Sequence, residues 1–226
     1  MKKKTGVMLP TCGRPDFARF SILQWASQTV KPDIVCVFQN NNAESYEWCI
    51  EDLKPLVNIK WIHTPLNVSQ HLWYLTPLRY LLEEDCDCFF WGDHDDIYYT
   101  NHVETCLDEL EHNNFTIAQS CGVLFVQKTE YKYKKPAKFS AHAPGGMSSS
   151  MAFTREFALE LAKDIEHDLN IRKKYYYTDN VVALDTMPKF SITGSSRLTT
   201  AYVCHDGSHS SNAWLKKMFE EGNVNT

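Results

Sequence analysis

The chain has 226 residues, with 23 basic and 28 acidic side chains, a formal net charge of −5, and 43% apolar and 23% charged residues. That composition excludes a disordered chain, and the acidic balance argues against a general nucleic-acid or anionic-membrane binder. The eight cysteines form no Cys-x-x-Cys pair and sit mostly within apolar runs, so they read as buried thiols of a cytoplasmic protein.

The opening Met-Lys-Lys-Lys is followed by an apolar stretch that ends at Pro10, too short for a signal peptide or a transmembrane segment. Gly6 to Leu9 reads as a buried strand, and Pro10 begins a loop. Pro15 suits the first turn of a helix in which Ala18, Ile22, Trp25 and Ala26 recur at helical spacing. Ile34 to Phe38 is apolar without alternation, as in a strand covered on both faces, and ends in the polar turn Gln39-Asn40-Asn41-Asn42. A weaker helix over 44–54, a strand near 58–62 and a helix over 70–83 follow, with Pro77 a source of kinking or a later start in the last. The strand 87–91 leads into Asp93-His94-Asp95-Asp96, and Asn101 with Glu104 marks the start of a further helix with the stripe Val103, Cys106, Leu107, Leu110.

This βαβαβαβα order predicts an α/β fold with a mostly parallel sheet flanked by helices on both faces and ligands at the carboxyl ends of its strands. The Asn40 turn and the Asp93 cluster both lie at such ends. The second half differs. It has an apolar stretch at 116–126, a Lys/Tyr-rich segment at 128–138, Gly145-Gly146, a helix over 154–168 and a polar tail rich in His and Ser.

A turn accounts for one aspartate at a strand end, whereas three in four positions repel one another unless a cation or strong donors lie between them. Asp93, His94, Asp95 and Asp96 are therefore the candidate site. Continued strand alternation would point His94 to the opposite side from Asp93 and Asp95, as a surface or outer-shell histidine. The five lysines of 128–138, interleaved with Tyr131 and Tyr133, read as a solvated loop or an acceptor-stacking surface rather than a nucleic-acid site.

Four motifs in order resemble the nucleotide-sugar glycosyltransferases of GT-A type, most closely the inverting family 2 enzymes. They are Val7 to Pro15 as the opening strand and loop, Asp93-His94-Asp95 as a DxD, Gly145-Gly146 through Ser150 into Met151 to Arg155 as an acceptor-side loop, and Thr178-Asp179-Asn180 before Val181 to Leu184. Two departures stand out. Asn67-Val68-Ser69 runs into Trp73-Tyr74-Leu75 without the arginine many relatives carry, and Gln39 to Asn42 stands where relatives often have a base-reading aspartate.

The resemblance implies one GT-A domain over 1–226, with 1–112 binding the nucleotide sugar and 113–226 forming the acceptor half and a C-terminal cover. It implies a hexosyl- or pentosyltransferase using a nucleotide-diphosphate sugar, UDP-sugar favoured, a glycan or other hydroxyl acceptor, and Mn²⁺ or Mg²⁺. Donor contacts fall to Pro10, Thr11, Arg14, Asn40, Asn42, Asn67, Asp93 and His94; acceptor contacts to Gly145, Gly146, Met147 and Ser148; metal contacts to Asp95, Asp93 and His205. Asp179 takes the role of general base, with a helix cap as its alternative, and a surface loop is the alternative for His205. The rival functions are a metal-dependent phosphoester hydrolase and a non-catalytic sugar-binding domain of the same fold.

Overall fold

Consecutive apolar residues make sense in β1 (Thr5–Thr11), β2 (Ile34–Gln39) and β4 (Cys88–Trp91) because both sheet faces are covered and all seventeen of their residues are buried. The computed structural model describes residues 2–127, 130–134, 151–172, 174–175, 178–190 and 195–205. Gly145, Gly146, Met147 and Ser148 lie outside the described residues.

Side chains alternate along each strand between two cores. Met8, Cys36, Phe89 and Trp91 face α2 (Gln70–Glu83) and α4 (Arg155–His167), where they meet Leu75, Leu78, Leu82, Phe157, Leu161 and Ile165. Val7, Leu9, Val35, Val37 and Phe90 face α1 (Pro15–Ala26) and α3 (His102–Leu110), where Ile22, Trp25, Val103 and Cys106 pack. The 3₁₀ helix Glu47–Leu53 adds Ile50 and Leu53 to this second core, within the weak helix expected over 44–54 and shorter than it.

β3 (Ile59–His63), β2, β1 and β4 run parallel in that order. β8 (Met151–Thr154) then pairs antiparallel with both β4 and β6 (Phe115–Gln127), completing a six-stranded sheet. The far end of β6 joins β7 (Glu130–Lys134), β9 (Ser195–His205) and, through β9, the short β5 (Ile97–Tyr98). Part of the Lys/Tyr-rich segment is thus a strand rather than a loop: β7 pairs with β6 in an antiparallel ladder. The fold is α/β, with the parallel half of the sheet between two helical layers.

Pro77 lies inside α2 without displacing the expected boundaries of that helix. Asn101 occupies the N-cap of α3 but makes no side-chain capping bond, and Glu104 instead accepts the Thr29 hydroxyl at 2.9 Å. Among the described residues Cys12, Cys36, Cys49, Cys86, Cys88 and Cys106 are free thiols, and burial raises the pKa of Cys36 to about 12.

His102, fully buried at the start of α3, has its Nδ1 2.8 Å from Thr199 Oγ1 and packs against Trp25 and Tyr98. Burial lowers its pKa from 6.5 to about 3. Between those values the unfolded chain takes up a proton that the folded chain refuses, so stability rises with pH across the window and falls as pH drops through it. Taking the protein from pH 7 to pH 5 should cost about 2 kcal/mol through this group alone. Urea unfolding at both pH values should show that loss in the parent and a clearly smaller one in His102→Gln; equal losses would refute the assignment.

Candidate functional site at the carboxyl edge of the parallel strands

Parallel pairing brings the carboxyl ends of β1, β2 and β4 to one edge, since Thr11 is in register with Gln39 and Met8 with Trp91. Gly92 ends β4. Its N–H donates to the Met8 carbonyl at 2.9 Å, and a Cβ there would lie 3.1 Å from the same oxygen, so close approach of β4 to β1 favours glycine. The chain then leaves the sheet, and the acidic loop 93–96 turns back over the end of β1.

That loop is held from several sides. Tyr74 Oη on α2 donates to Asp93 Oδ1 at 2.7 Å, and the Asp93 N–H donates to Tyr98 Oη at 2.7 Å. Gln24 on α1 donates through Nε2 to the Asp96 carbonyl (3.0 Å) and accepts the Tyr98 N–H through Oε1 (2.8 Å). Burial, then the neighbouring Asp96 and Asp93, raise the Tyr98 pKa well above 10, so it stays a neutral phenol. One aromatic hydroxyl on a carboxylate, and a second hydroxyl and an amide on the backbone, thus fix the acidic loop before any ligand arrives.

Arg14, at the N-cap of α1, faces the same loop. Its guanidinium lies 3.1 Å from Asp95 Oδ2 and 3.4 Å from His94 Nε2, and 5.7 Å from the Phe17 ring centroid. His94 Nδ1 is 3.2 Å from the Pro10 carbonyl, which only accepts, so that nitrogen carries the proton and the Nε2 lone pair faces Arg14. The alternation that would have turned His94 away stops with the strand at Trp91, and His94 shares one guanidinium with Asp95. Arg14 and Asp95 side chains are 26% and 18% exposed, so their pairing is better shielded than a surface ion pair.

At the end of β2, Gln39 spends its whole amide inside the fold: Oε1 accepts from the Tyr46 N–H and Trp61 Nε1, and Nε2 donates to the Glu44 carbonyl. Asn42 Oδ1 accepts the Gly13 N–H at 2.8 Å, where Gly13 has φ +61°, a left-handed conformation that favours glycine. The Asn40 N–H donates to the Thr11 carbonyl, and its Oδ1 accepts the Val68 N–H at 3.2 Å, which places the loop of Asn67 beside it. Asn40 Nδ2 is buried and has no hydrogen-bond partner among the described residues. Pro10, Thr11, Arg14, Asn40, Asn42, Asn67, Asp93 and His94 therefore belong to one connected set of loops.

The remaining candidates are placed by backbone. Asp179 lies in α5 (Thr178–Val181), and His205 ends β9, the strand that pairs with β5 just after the acidic loop. The side chains of both lie outside the described residues. Among the described residues no three His, Cys, Asp or Glu side chains come together as a metal-binding group. Tyr74 and Gln24 are not singled out by the sequence as site residues, because neither belongs to the acidic motif it supports.

The arrangement is that of the GT-A fold. The chain superposes on S. aureus TarS in complex with UDP-GlcNAc with a TM-score of 0.65 at 14% identity, over 93% of this chain and 61% of that one. With the UDP complex of S. aureus TarS the TM-score is 0.61 at 14% identity, over 89% of this chain and 60% of that one. The chain thus spans about 60% of the length of the TarS chains in these complexes. The 4-diphosphocytidyl-2C-methyl-D-erythritol synthase of Anaerococcus prevotii is similar at a TM-score of 0.54 and 12% identity, over 95% of this chain and 96% of that one. No family model matches the sequence. No curated protein sequence matches it.

Proposed function

We propose that the protein is a metal-dependent, inverting glycosyltransferase that moves a hexosyl or pentosyl group from a nucleotide-diphosphate sugar, UDP-sugar favoured, to a hydroxyl of a glycan or other acceptor. The observation that carries this reading is the meeting of Arg14 and the Asp93–Asp95 loop with Asn40 and Asn42 at the carboxyl edge of parallel strands. The fold shared with TarS in complexes with UDP and UDP-GlcNAc supports a nucleotide-sugar donor. Residues 1–112 would bind that donor and 113–226 the acceptor.

The partly exposed carboxylates of Asp93 and Asp95 are hard oxygen donors, and such a pair suits Mn²⁺ or Mg²⁺, which take one or two carboxylates together with substrate phosphates and water. Asp95 would be the direct ligand, Asp93 a ligand to the ribose or to a bound water, and His205 a further ligand. The ion supplies charge neutralisation for a diphosphate leaving group. Arg14 places a fixed positive charge at the same edge. The buried Asn40 Nδ2 is a donor suited to a carbonyl oxygen of a pyrimidine base. Gly145 to Ser148 would face the acceptor, and Asp179 would take the proton from its hydroxyl. Among the described residues no helix is long and apolar enough to cross a membrane; a cytoplasmic setting is part of the proposal.

A panel of nucleotide sugars with acceptor glycans, with and without Mn²⁺, tests this reading, with released nucleoside diphosphate followed by mass spectrometry. One donor should release its diphosphate in a metal-stimulated reaction. No selective donor binding would favour the hydrolase, and binding without release the non-catalytic domain. Pyrophosphate release from a nucleoside triphosphate and a sugar phosphate would instead indicate nucleotidyl transfer.

A further inference from the structure

α5 is only four residues long, too short to hold its own direction, and it lies between two π-helical turns, Asp168–Arg172 before it and Val182–Thr186 after it. Its start is tied instead to the first turn of α2. Gln70 Oε1 accepts the Thr178 N–H at 3.0 Å, and His71 Nδ1 lies 3.1 Å from Thr178 Oγ1. On its other side His71 Nε2 lies 3.0 Å from Asp168 Oδ2. His71, Asp168 and Thr178 are all buried, so this chain of polar groups is closed to substrate.

The protons follow from the acceptors. Burial opposes charge on Asp168, but hydrogen bonds from His71 and from the Tyr175 and Lys174 amides outweigh it and lower its pKa. A carboxylate only accepts, so His71 carries a proton on Nε2, and in the neutral ring Nδ1 accepts the Thr178 hydroxyl. A buried, satisfied network of this kind locks one geometry.

We propose that His71, oriented by Asp168, is a positioning residue: through Thr178 it fixes the backbone from which Asp179 projects, and so the placement of the base for transfer. This rests on the reading of Asp179 as that base. None of the three residues touches substrate in this account. They act through the residue next to Thr178 in the chain.

Removing His71 would leave Asp168 charged and buried, so the test changes the far end of the network. Thr178→Val keeps the volume and loses the hydroxyl; Thr178→Ser keeps the hydroxyl and loses a methyl group. With a donor identified from the panel, Thr178→Val should lower kcat of transfer about tenfold with the donor KM within twofold of the parent, because small misplacements of a reacting group are costly. Thr178→Ser should restore kcat. A packing role alone predicts the reverse order, since valine fills the buried site better. On an Asp179→Asn background, Thr178→Val should cause no further loss of the residual transfer.

Parental kcat in Thr178→Val beside an inactive Asp179→Asn variant would overturn the positioning role and leave the base in place. A full additional loss on the Asp179→Asn background would also overturn it. Near-parental transfer by Asp179→Asn would remove the base reading, and this inference with it.

Discussion

Asp95→Ala should abolish metal-dependent donor binding while leaving a folded protein. Asp95 offers its carboxylate at the strand-end loop, and the neighbouring carboxylate, Asp93, is already engaged by the Tyr74 hydroxyl. The remaining carboxylates, Asp93 and the buried Asp96, are poor holders of both a divalent ion and a diphosphate, so affinity in Mn²⁺ should fall on the order of 10²-fold, corresponding to about 3 kcal/mol of lost charge stabilisation. Folding should suffer little, since the lost ion pair with Arg14 is partly exposed and worth on the order of 1 kcal/mol. Calorimetry with and without Mn²⁺ separates two roles. If Asp95 serves only to hold Arg14, the variant should change donor affinity equally in both conditions. Unchanged Mn²⁺-dependent affinity in the folded variant would remove the site assignment.

The parts of this protein that its sequence makes legible are those whose signals are local. Uninterrupted apolar runs at Ile34 to Phe38 and before Gly92 announce strands buried on both faces, and both are found. Helical spacing sets α1 and α2 close to their observed limits even across Pro77, because tertiary packing of Leu75, Leu78 and Leu82 holds the helix on both sides of the proline. The two-residue β5 carries no periodicity of its own and exists because β9 pairs with it. β7 reads as a solvated segment because charged and aromatic residues alternate there, a pattern that an edge strand also tolerates.

The same division holds at the site. Asp93, Asp95 and Arg14 stand out because three acids crowd four positions and an arginine follows the first strand. Their supports do not. Tyr74 meets Asp93 across 19 residues, Gln24 reaches the Asp96 carbonyl across 72, and His71 reaches Asp168 across 97. Each is a single polar residue in an otherwise ordinary helix or turn, and only the fold brings it to its partner. His94 was read from strand alternation, which ends one residue before Gly92, and the turn that follows sets it against Arg14.

The largest effect on chemistry is expected from Asp179→Asn. An inverting transferase needs a carboxylate near the acceptor hydroxyl on the face of the sugar opposite the diphosphate, to remove the proton as the new bond forms. Asparagine keeps the size of aspartate and caps a helix about as well, but it cannot accept a proton. Donor affinity and thermal stability should therefore stay near the parent's, while transfer falls by a factor on the order of 10² or more. The product linkage, read by NMR, should be inverted relative to the donor, because displacement by the acceptor hydroxyl is in line with the departing diphosphate. Near-parental transfer by the variant would leave Asp179 a structural residue in the first turn of the short α5, whose start is already held by Gln70 and His71. A retained linkage would remove the inverting mechanism and leave the fold and the Asp95 site standing, since neither depends on which face the acceptor attacks.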